Sequence, residues 1–248
     1  MILDFGGATI FRNVYKEINA DYIYMTDTKN APYGLKSIKE VRELTEKCVK
    51  ELIAKDCKFI VVACNTATSA AIEYLREKYT DIIFIGTEPA IKPALEKGAD
   101  KKIILTATSL TLKGERLRKL LQDLNAQDKV TLLALDKLVE YSDFNDTIEY
   151  DLAYKYLKDK FSELNLEDYS GIVLGCTHFP IFKNEIRKSL PQNIEIFDSE
   201  KGITNNLKRI ISTNFPNYDN TKKTVELMQT SYSKQFENKF FDMLNYNK

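Results

Sequence analysis

The sequence has only one histidine, and its four cysteines include no Cys-x-x-Cys pair. Structural zinc sites are usually built from such pairs together with further Cys or His ligands, so no metal centre is expected. Four cysteines in 248 residues are also too few for a disulfide framework. The cysteines are therefore expected to be reduced thiols.

The chain also lacks an excess of either charge, because 36 Lys and Arg residues balance 36 Asp and Glu residues. No overall field attracts nucleic acid or an anionic membrane, so neither is an expected partner. No apolar run approaches the length of a membrane span, and the first residues show no basic segment or cleavage site. These absences make a cytoplasmic protein the expectation. With no P-loop and no Gly-x-Gly-x-x-Gly motif, nucleotide binding has no motif support.

Short apolar runs alternate with amphipathic segments along the chain. Helical spacing of apolar residues predicts helices at 38–54, 112–124 and 147–164. Continuous apolar strands that alternate with helices are typical of parallel sheets covered on both faces. The predicted strands are 22–25, 59–63, 82–85, 103–106, 130–135, 172–174, 194–197 and 225–228.

Two segments, 59–66 and 171–178, share one pattern: an apolar run, a small residue, a cysteine, and a threonine within two positions. In open α/β sheets ligands bind beyond the carboxyl ends of the strands, where this pattern places Cys64 and Cys176. We therefore predict an α/β fold of two similar lobes, each a mostly parallel sheet flanked by helices, with the active site in the cleft between them. The N-terminal lobe is assigned residues 1–92 and 204–248, and the second lobe residues 93–203.

Cys64 is a candidate base or nucleophile, because a helix beginning near Thr66 points backbone N–H groups at it, and these favour a thiolate or a bound carboxylate. Cysteine also often packs in cores without any chemical role. The polar residues directly after the strand, Asn65 and Thr66, favour the functional interpretation. Cys48 and Cys57 have no comparable neighbours and are assigned to the structure.

Cys176 is followed by Thr177 and by His178, the only histidine of the chain. A lone histidine is more often a surface or core residue, but beside a strand-end cysteine it is expected to be an acid–base partner. The segment 27–34 follows a strand and is dense in turn-forming residues. It is either a plain loop or a wall of the cleft, with Tyr33 and the Gly34 backbone in contact with the substrate.

The most specific motifs of the chain are Cys64-Asn65-Thr66-Ala67-Thr68 and Gly175-Cys176-Thr177-His178. Through these motifs and others in the same order, the chain resembles glutamate racemase, within the cofactor-independent aspartate/glutamate racemase superfamily. The resemblance extends over nearly the whole chain. The matching segments are 6–9, 27–34, 63–68, 86–89, 108 with 111–113, and 174–180.

This resemblance implies two pseudo-symmetric α/β lobes and racemisation of L- and D-glutamate without a cofactor or a metal, supplying D-glutamate for peptidoglycan. It implies that Cys64 acts on the D-enantiomer and Cys176 on the L-enantiomer, and that His178 assists the second cysteine. Family members are often dimers, which makes a homodimer a candidate assembly. The residues implied to hold the substrate or close the pocket are Tyr33, Gly34, Asn65, Thr66, Thr111 and Thr177.

The start of the chain departs from the family pattern, which is Phe-Asp-Ser-Gly-x-Gly-Gly after a strand. Without a gap, the family's Asp and Ser fall on Ile2 and Leu3. With a two-residue deletion, Asp4 takes the role of the Asp, which assists the first cysteine, and the Ser is lost. Two other functions therefore stay open: racemisation of aspartate or another amino acid, and binding of an amino acid or a protein partner without catalysis.

Overall fold

Two parallel sheets form the framework of the computed structural model, which describes residues 2–3, 6–98, 101–143, 147–216 and 223–245. The strands of the first sheet are β1 (Ile2–Leu3), β2 (Tyr22–Thr26), β3 (Phe59–Val62), β4 (Ile83–Gly86) and β9 (Val225–Gln229). The strands of the second sheet are β5 (Lys102–Ala107), β6 (Val130–Ala134), β7 (Tyr169–Leu174) and β8 (Glu195–Phe197).

Helices lie between most of the strands and cover the sheets. The second helix begins in a capping box: the Ser37 hydroxyl accepts from the Glu40 N–H, and the Glu40 carboxylate accepts from the Ser37 N–H. Across the described ranges, no helix combines the length and the apolar character needed to cross a membrane. The helices are α1 (Gly7–Glu17), α2 (Ile38–Ala54), α3 (Asn65–Lys78), α4 (Ile91–Gly98), α5 (Ser109–Leu112), α6 (Glu115–Asp123), α7 (Lys137–Asp143), α8 (Tyr150–Ser162), α9 (Lys183–Lys188), α10 (Glu200–Asn214) and α11 (Lys234–Asn245).

The two sheets repeat one strand order. The order is β4-β3-β1-β2 in the first sheet, with β9 added beside β2, and β8-β7-β5-β6 in the second. The strand pairs described in both sheets are parallel. Strands β3 and β7 hold equivalent positions, and Cys64 and Cys176 follow their carboxyl ends. The predicted fold class, two pseudo-symmetric α/β lobes with parallel sheets, is confirmed.

Both faces of each sheet are buried, because successive side chains of a strand point to opposite faces. In β3, Ile60 and Val62 pack with α2 and α3, whereas Val61 packs with α1 and α10. In β7, Ile172 packs with α8 and α9, whereas Val173 packs with α4 and α6. Burial of one such side chain contributes about 1.5–3 kcal/mol to the stability of the fold. The strands that precede the two cysteines are therefore firmly packed.

The eight predicted strands are all present, with ends that move by at most three residues. The predicted helix 38–54 is α2, but the predicted helix 112–124 is two helices, since α5 ends at Leu112 and Gly114 is the N-cap of α6. The division into 1–92 with 204–248 and 93–203 stays a prediction. Strands β5 to β8 lie within the second of these parts.

Candidate active site

Cys64 lies at the turn from β3 into α3, where it is the N-cap residue of the helix. Its carbonyl accepts the first helical bond, from the Thr68 N–H at 2.8 Å. The hydroxyls of Thr68 and Thr87 both donate to the Val62 carbonyl, at 3.0 and 2.9 Å, and so fix the end of the strand. Because the N-terminus of α3 carries the positive end of the helix dipole, an anion is stabilised at this turn, whether thiolate or carboxylate.

Cys176 begins a chain of hydrogen bonds. Its Sγ lies 3.6 Å from Nδ1 of His178, and Nε2 of His178 lies 3.0 and 3.1 Å from the two carboxylate oxygens of Asp143. An ionised carboxylate only accepts, so the ring proton is assigned to Nε2, and Nδ1 offers its lone pair to the thiol. The imidazole can therefore take the thiol proton while Asp143 stabilises the resulting cation.

Asp143 is not among the residues that the sequence singles out. It ends α7, 35 positions before His178, and no motif connects the two. The only indirect signal is chemical: a buried histidine that serves a thiol with one nitrogen needs a partner for the other. The fold supplies that partner by packing α7 against the turn that follows β7.

Three threonine hydroxyls meet between the lobes. Oγ1 of Thr66, in the first turn of α3, lies 3.0 Å from that of Thr108 and 3.2 Å from that of Thr111. Thr108 and Thr111, at the start of α5, are 2.9 Å apart. Thr108 also caps α5 by accepting from the Thr111 N–H at 3.3 Å. The cluster offers several O–H donors to an anion held between the two sheets.

Two buried polar side chains near the cysteines have no hydrogen-bond partner in the described parts of the chain. They are Asn65, with both Oδ1 and Nδ2, and Thr177, with Oγ1. They are 4% and 3% exposed, so water does not solvate them freely. A buried polar atom without a partner costs about 1–3 kcal/mol, which makes these atoms natural contacts for a bound polar molecule.

The loop after β2 reaches the same region. The Tyr33 hydroxyl donates to Asp27 at 2.8 Å, and Asp27 also accepts from Asn30 at 2.9 Å and from Thr230 at 2.6 Å. Burial raises the pKa of Tyr33 far above its ordinary value, so it stays a neutral donor. A Cβ on the next residue, Gly34, would lie 3.3 Å from Cγ2 of Thr108, which shows that the loop contacts the second lobe.

The model of the Asp/Glu/hydantoin racemase family matches residues 7–203. The chain belongs to this family. A glutamate racemase of Lachnospira eligens is 45% identical over 194 residues, covering 77% of this chain and 72% of that protein. A glutamate racemase of Halothermothrix orenii is 42% identical over 207 residues, covering 83% and 81%. These similarities identify the chain as an amino-acid racemase.

Solved racemase structures agree with this assignment. The structure of glutamate racemase isoform RacE1 from Bacillus anthracis matches with a TM-score of 0.85 and 27% identity, covering 99% of this chain and 92% of that one. The Escherichia coli glutamate racemase, solved in complex with L-glutamate and the activator UDP-MurNAc-ala, has a TM-score of 0.83 over 99% and 92% of the two chains. At 24% identity, this second likeness concerns the fold alone.

The N-terminal motif of this racemase is described only in part. Asp4 lies outside the described residues, so its predicted role beside Cys64 stays a prediction. Strand β1 pairs with β2 and β3, and Leu3 lies opposite Thr26. This pairing places the first strand in the centre of the sheet, next to the strand that ends before Cys64.

Cys48 and Cys57 of the racemase have different surroundings from the two strand-end thiols. Cys48 lies in the core between α2 and the sheet, and burial raises its pKa to about 12. Burial also raises the pKa of the half-buried Cys57. Neither thiol ionises readily at neutral pH. In the described ranges, no group of three or more His, Cys, Asp or Glu side chains could hold a metal ion.

Gly6 supports the turn that carries His178. A Cβ on Gly6 would lie 2.5 Å from the backbone nitrogen of His178 and 2.7 Å from Nδ1 of the His178 ring. The change Gly6→Ala is therefore expected to push the imidazole away from Cys176 and to lower kcat about 10–100-fold in a folded protein, since small misplacements of a catalytic group have effects of this size. Steady-state racemisation assays measure kcat, and circular dichroism shows whether the variant is folded.

Gly202 provides the matched control for that change. It lies inside α10, and a Cβ there would contact nothing within 4 Å. Gly202→Ala should keep wild-type kcat and raise stability by about 0.5–1 kcal/mol, because alanine is the better helix former. Wild-type kcat in Gly6→Ala would show that α1 does not set the position of His178.

Proposed function

We propose that this racemase interconverts L- and D-glutamate without a cofactor, with Cys64 and Cys176 as its two acid–base groups. The observation that carries the proposal is the equivalence of the two thiols. Each follows the same strand of its own sheet, each is 6% exposed, and each is followed by polar groups that can bind an amino acid. Curated relatives that share 37–45% of their residues with this chain are named glutamate racemases.

Racemisation requires removal of the α-proton from one face of Cα and delivery of a proton to the opposite face. In the proposed resting state one cysteine is a thiolate and the other a thiol. The thiolate takes the α-proton, the thiol gives its proton to the other face, and the two cysteines end the turnover with exchanged protonation states. The next substrate must then be the opposite enantiomer, or the thiol proton must return through His178 and solvent.

We assign Cys64 to the α-proton of D-glutamate and Cys176 to that of L-glutamate, following the family resemblance. The Cys176 side has a visible proton route, because Nδ1 of His178 faces the thiol and Asp143 holds the other ring nitrogen. For Cys64, the first turn of α3 supplies helix N–H groups. Asp4 is the proposed assistant on this side.

The substrate's charged groups match the polar atoms between the lobes. The α-carboxylate can accept from the amide of Asn65 and the hydroxyl of Thr66, and the α-ammonium group can donate to Thr177. Thr111, Tyr33 and the backbone of Gly34 are proposed for the rest of the pocket. Hydrogen bonds to the carboxylate stabilise the carbanion that forms at Cα, and closure of the lobes would strengthen them by excluding water.

The proposed physiological role is supply of D-glutamate for peptidoglycan in the cytoplasm, by a homodimer. These details rest on the family resemblance. The division into lobes at 92/93 and 203/204 belongs to the same proposal, and its second boundary falls within the first turn of α10.

The direct test is formation of D-amino acids by the purified enzyme. Samples freed of pyridoxal phosphate and treated with a chelator are incubated with L-glutamate, L-aspartate and a panel of other L-amino acids, and chiral chromatography detects the products. We expect D-glutamate to form with the highest kcat/KM. A higher kcat/KM for aspartate would identify aspartate as the substrate instead. Absence of D-product from every amino acid would refute the proposed function.

The second candidate function is binding without catalysis, which the altered N-terminal motif favours. The family's Ser has no counterpart if Asp4 aligns with the family's Asp. Calorimetric titration with D- and L-glutamate separates the two functions: tight binding with no D- to L-conversion would select the second.

A further inference from the structure

Glu200 is a carboxylate that the proposed mechanism leaves unused. It is the first residue of α10 and faces α1. The amide of Asn13 donates to its Oε2 at 2.7 Å, and the nearby hydroxyl of Thr9 also favours its ionised form. Burial, with the nearby charge of Asp198, raises the pKa of Glu200. Partial burial of a carboxylate costs free energy unless hydrogen bonds or a nearby cation compensate for the lost water.

The chain crosses between the lobes at this point. Strand β8 belongs to the second sheet, and α10, which begins three residues later, packs on α1 beneath the first sheet. Asp198 lies in the crossing: one of its oxygens accepts from the Glu200 N–H at 3.2 Å and the other from Lys183 of α9 at 3.0 Å. Glu200 therefore joins α1 to the crossing segment and, through Asp198, to the second lobe.

Thr9 extends this connection to the active-site turn. Its hydroxyl donates to the Gly6 carbonyl at 2.9 Å, lies 3.5 Å from the Thr177 carbonyl, and is near the Glu200 carboxylate. The Thr177 carbonyl belongs to the turn that carries Cys176 and His178. The first turn of α1 thus lies between the Glu200 carboxylate and that turn.

We infer that Glu200 is a positioning residue of the racemase: through its hydrogen bond from Asn13, it sets the position of α1, and with it Thr9, against the turn of Cys176, Thr177 and His178. The inference rests on the proposed function, because its expected consequence is a change in the distance between the catalytic groups of the two lobes. The charge of Arg12 on α1 favours the ionised form of Glu200, whereas the hydrogen bond to the Glu200 carboxylate comes from the neutral amide of Asn13.

An exchange of the two paired side chains tests the inference. Asn13→Asp places two carboxylates against each other and is expected to lower kcat about tenfold while KM stays within about twofold, as a small misplacement of reacting groups does. The double variant Asn13→Asp/Glu200→Gln restores a donor–acceptor pair in the reverse direction. It is expected to recover kcat to within about threefold of wild type.

The matched control is Glu17→Gln. Glu17 lies at the other end of α1 and contacts Lys208 of α10 at 2.6 Å, so its loss also removes a contact between the two helices, but far from the cysteines. Both helix–helix variants are expected to lower the melting temperature, but only the Glu200 pair should change kcat. Should Asn13→Asp fail to fold, Asn13→Ala, which removes the donor without adding charge, is compared with Glu17→Gln in the same way.

The outcomes separate the two proposals. An inactive wild-type enzyme refutes the proposed function itself. An active wild type with normal kcat in the Asn13 variants, or an exchanged pair no more active than Asn13→Asp, overturns the positioning role and leaves the two-thiol reaction standing.

Discussion

Replacing Cys176 with serine lowers kcat/KM for racemisation by about 10³-fold, and replacing Cys64 with serine does the same. A hydroxyl does not become an anion at neutral pH as a thiol does, so either change removes one of the two groups that must move a proton in every turnover. Because enantiomers have equal free energies, kcat/KM falls equally in both directions. Coupled assays or polarimetry from each enantiomer measure both values.

Cys48→Ser and Cys57→Ser are the matched controls. Cys48 is in the core and Cys57 is half-buried at the amino end of β3, so these changes cost stability, by about 1–2 kcal/mol at most, and not turnover. The two strand-end variants should also differ from each other. If Cys176 faces the α-proton of L-glutamate, Cys64→Ser keeps exchange of that proton with solvent, and Cys176→Ser keeps exchange from D-glutamate. Retention of a tenth of wild-type activity by either variant would contradict a requirement for two thiols.

The change Asp143→Asn is expected to lower kcat/KM about 10²-fold, although it alters only one atom of a side chain that accepts from His178 and, at 3.4 Å, from the Ser142 hydroxyl. An asparagine amide turned toward Nε2 donates where the carboxylate accepted. The ring proton then moves to Nδ1, and the Cys176 thiol loses its acceptor. His178→Asn, which removes the imidazole, should cause a loss of similar size.

Three comparisons make this prediction specific. Asp143→Glu keeps a carboxylate and should regain most of the activity, whereas Asp151→Asn, an exposed carboxylate in α8, should leave it unchanged. Nuclear magnetic resonance of the single histidine reports the tautomer directly, since the sequence has only one. Wild-type activity in Asp143→Asn, or an unchanged tautomer, would show that the carboxylate has no part in proton transfer at Cys176.

Much of the architecture can be predicted from the sequence because its causes are local. Apolar runs such as 59–63 and 172–174 have to be buried on both faces, and the alternation with amphipathic helices then requires parallel sheets. The repeat of strand, cysteine and threonine predicts the equivalence of β3 and β7, which the shared strand order explains. The thiols and the hydroxyls that follow them are therefore placed by sequence pattern alone.

The groups that support these residues are beyond such a pattern, because their partners are distant in the chain. Asp143 meets His178 only because α7 packs against the turn that follows β7. Thr108 joins Thr66 across 42 positions, and only the approach of the two lobes brings the hydroxyls to 3.0 Å. The break between α5 and α6 comes at Gly114, the N-cap of α6, where an added Cβ would come too close to the side chain of Ser69 on α3.

The most direct test of two bases on opposite faces of Cα is racemisation in deuterium oxide, followed at low conversion by mass spectrometry of each enantiomer. Starting from protiated L-glutamate, we expect the D-glutamate that forms to carry deuterium at Cα, because the second thiol delivers a solvent-derived proton. The remaining L-glutamate should stay protiated, because only the first thiol faces it. Deuterium in the L-glutamate pool at the same rate as in the product, or protium carried over into the product, would indicate a single base and contradict the two-thiol account.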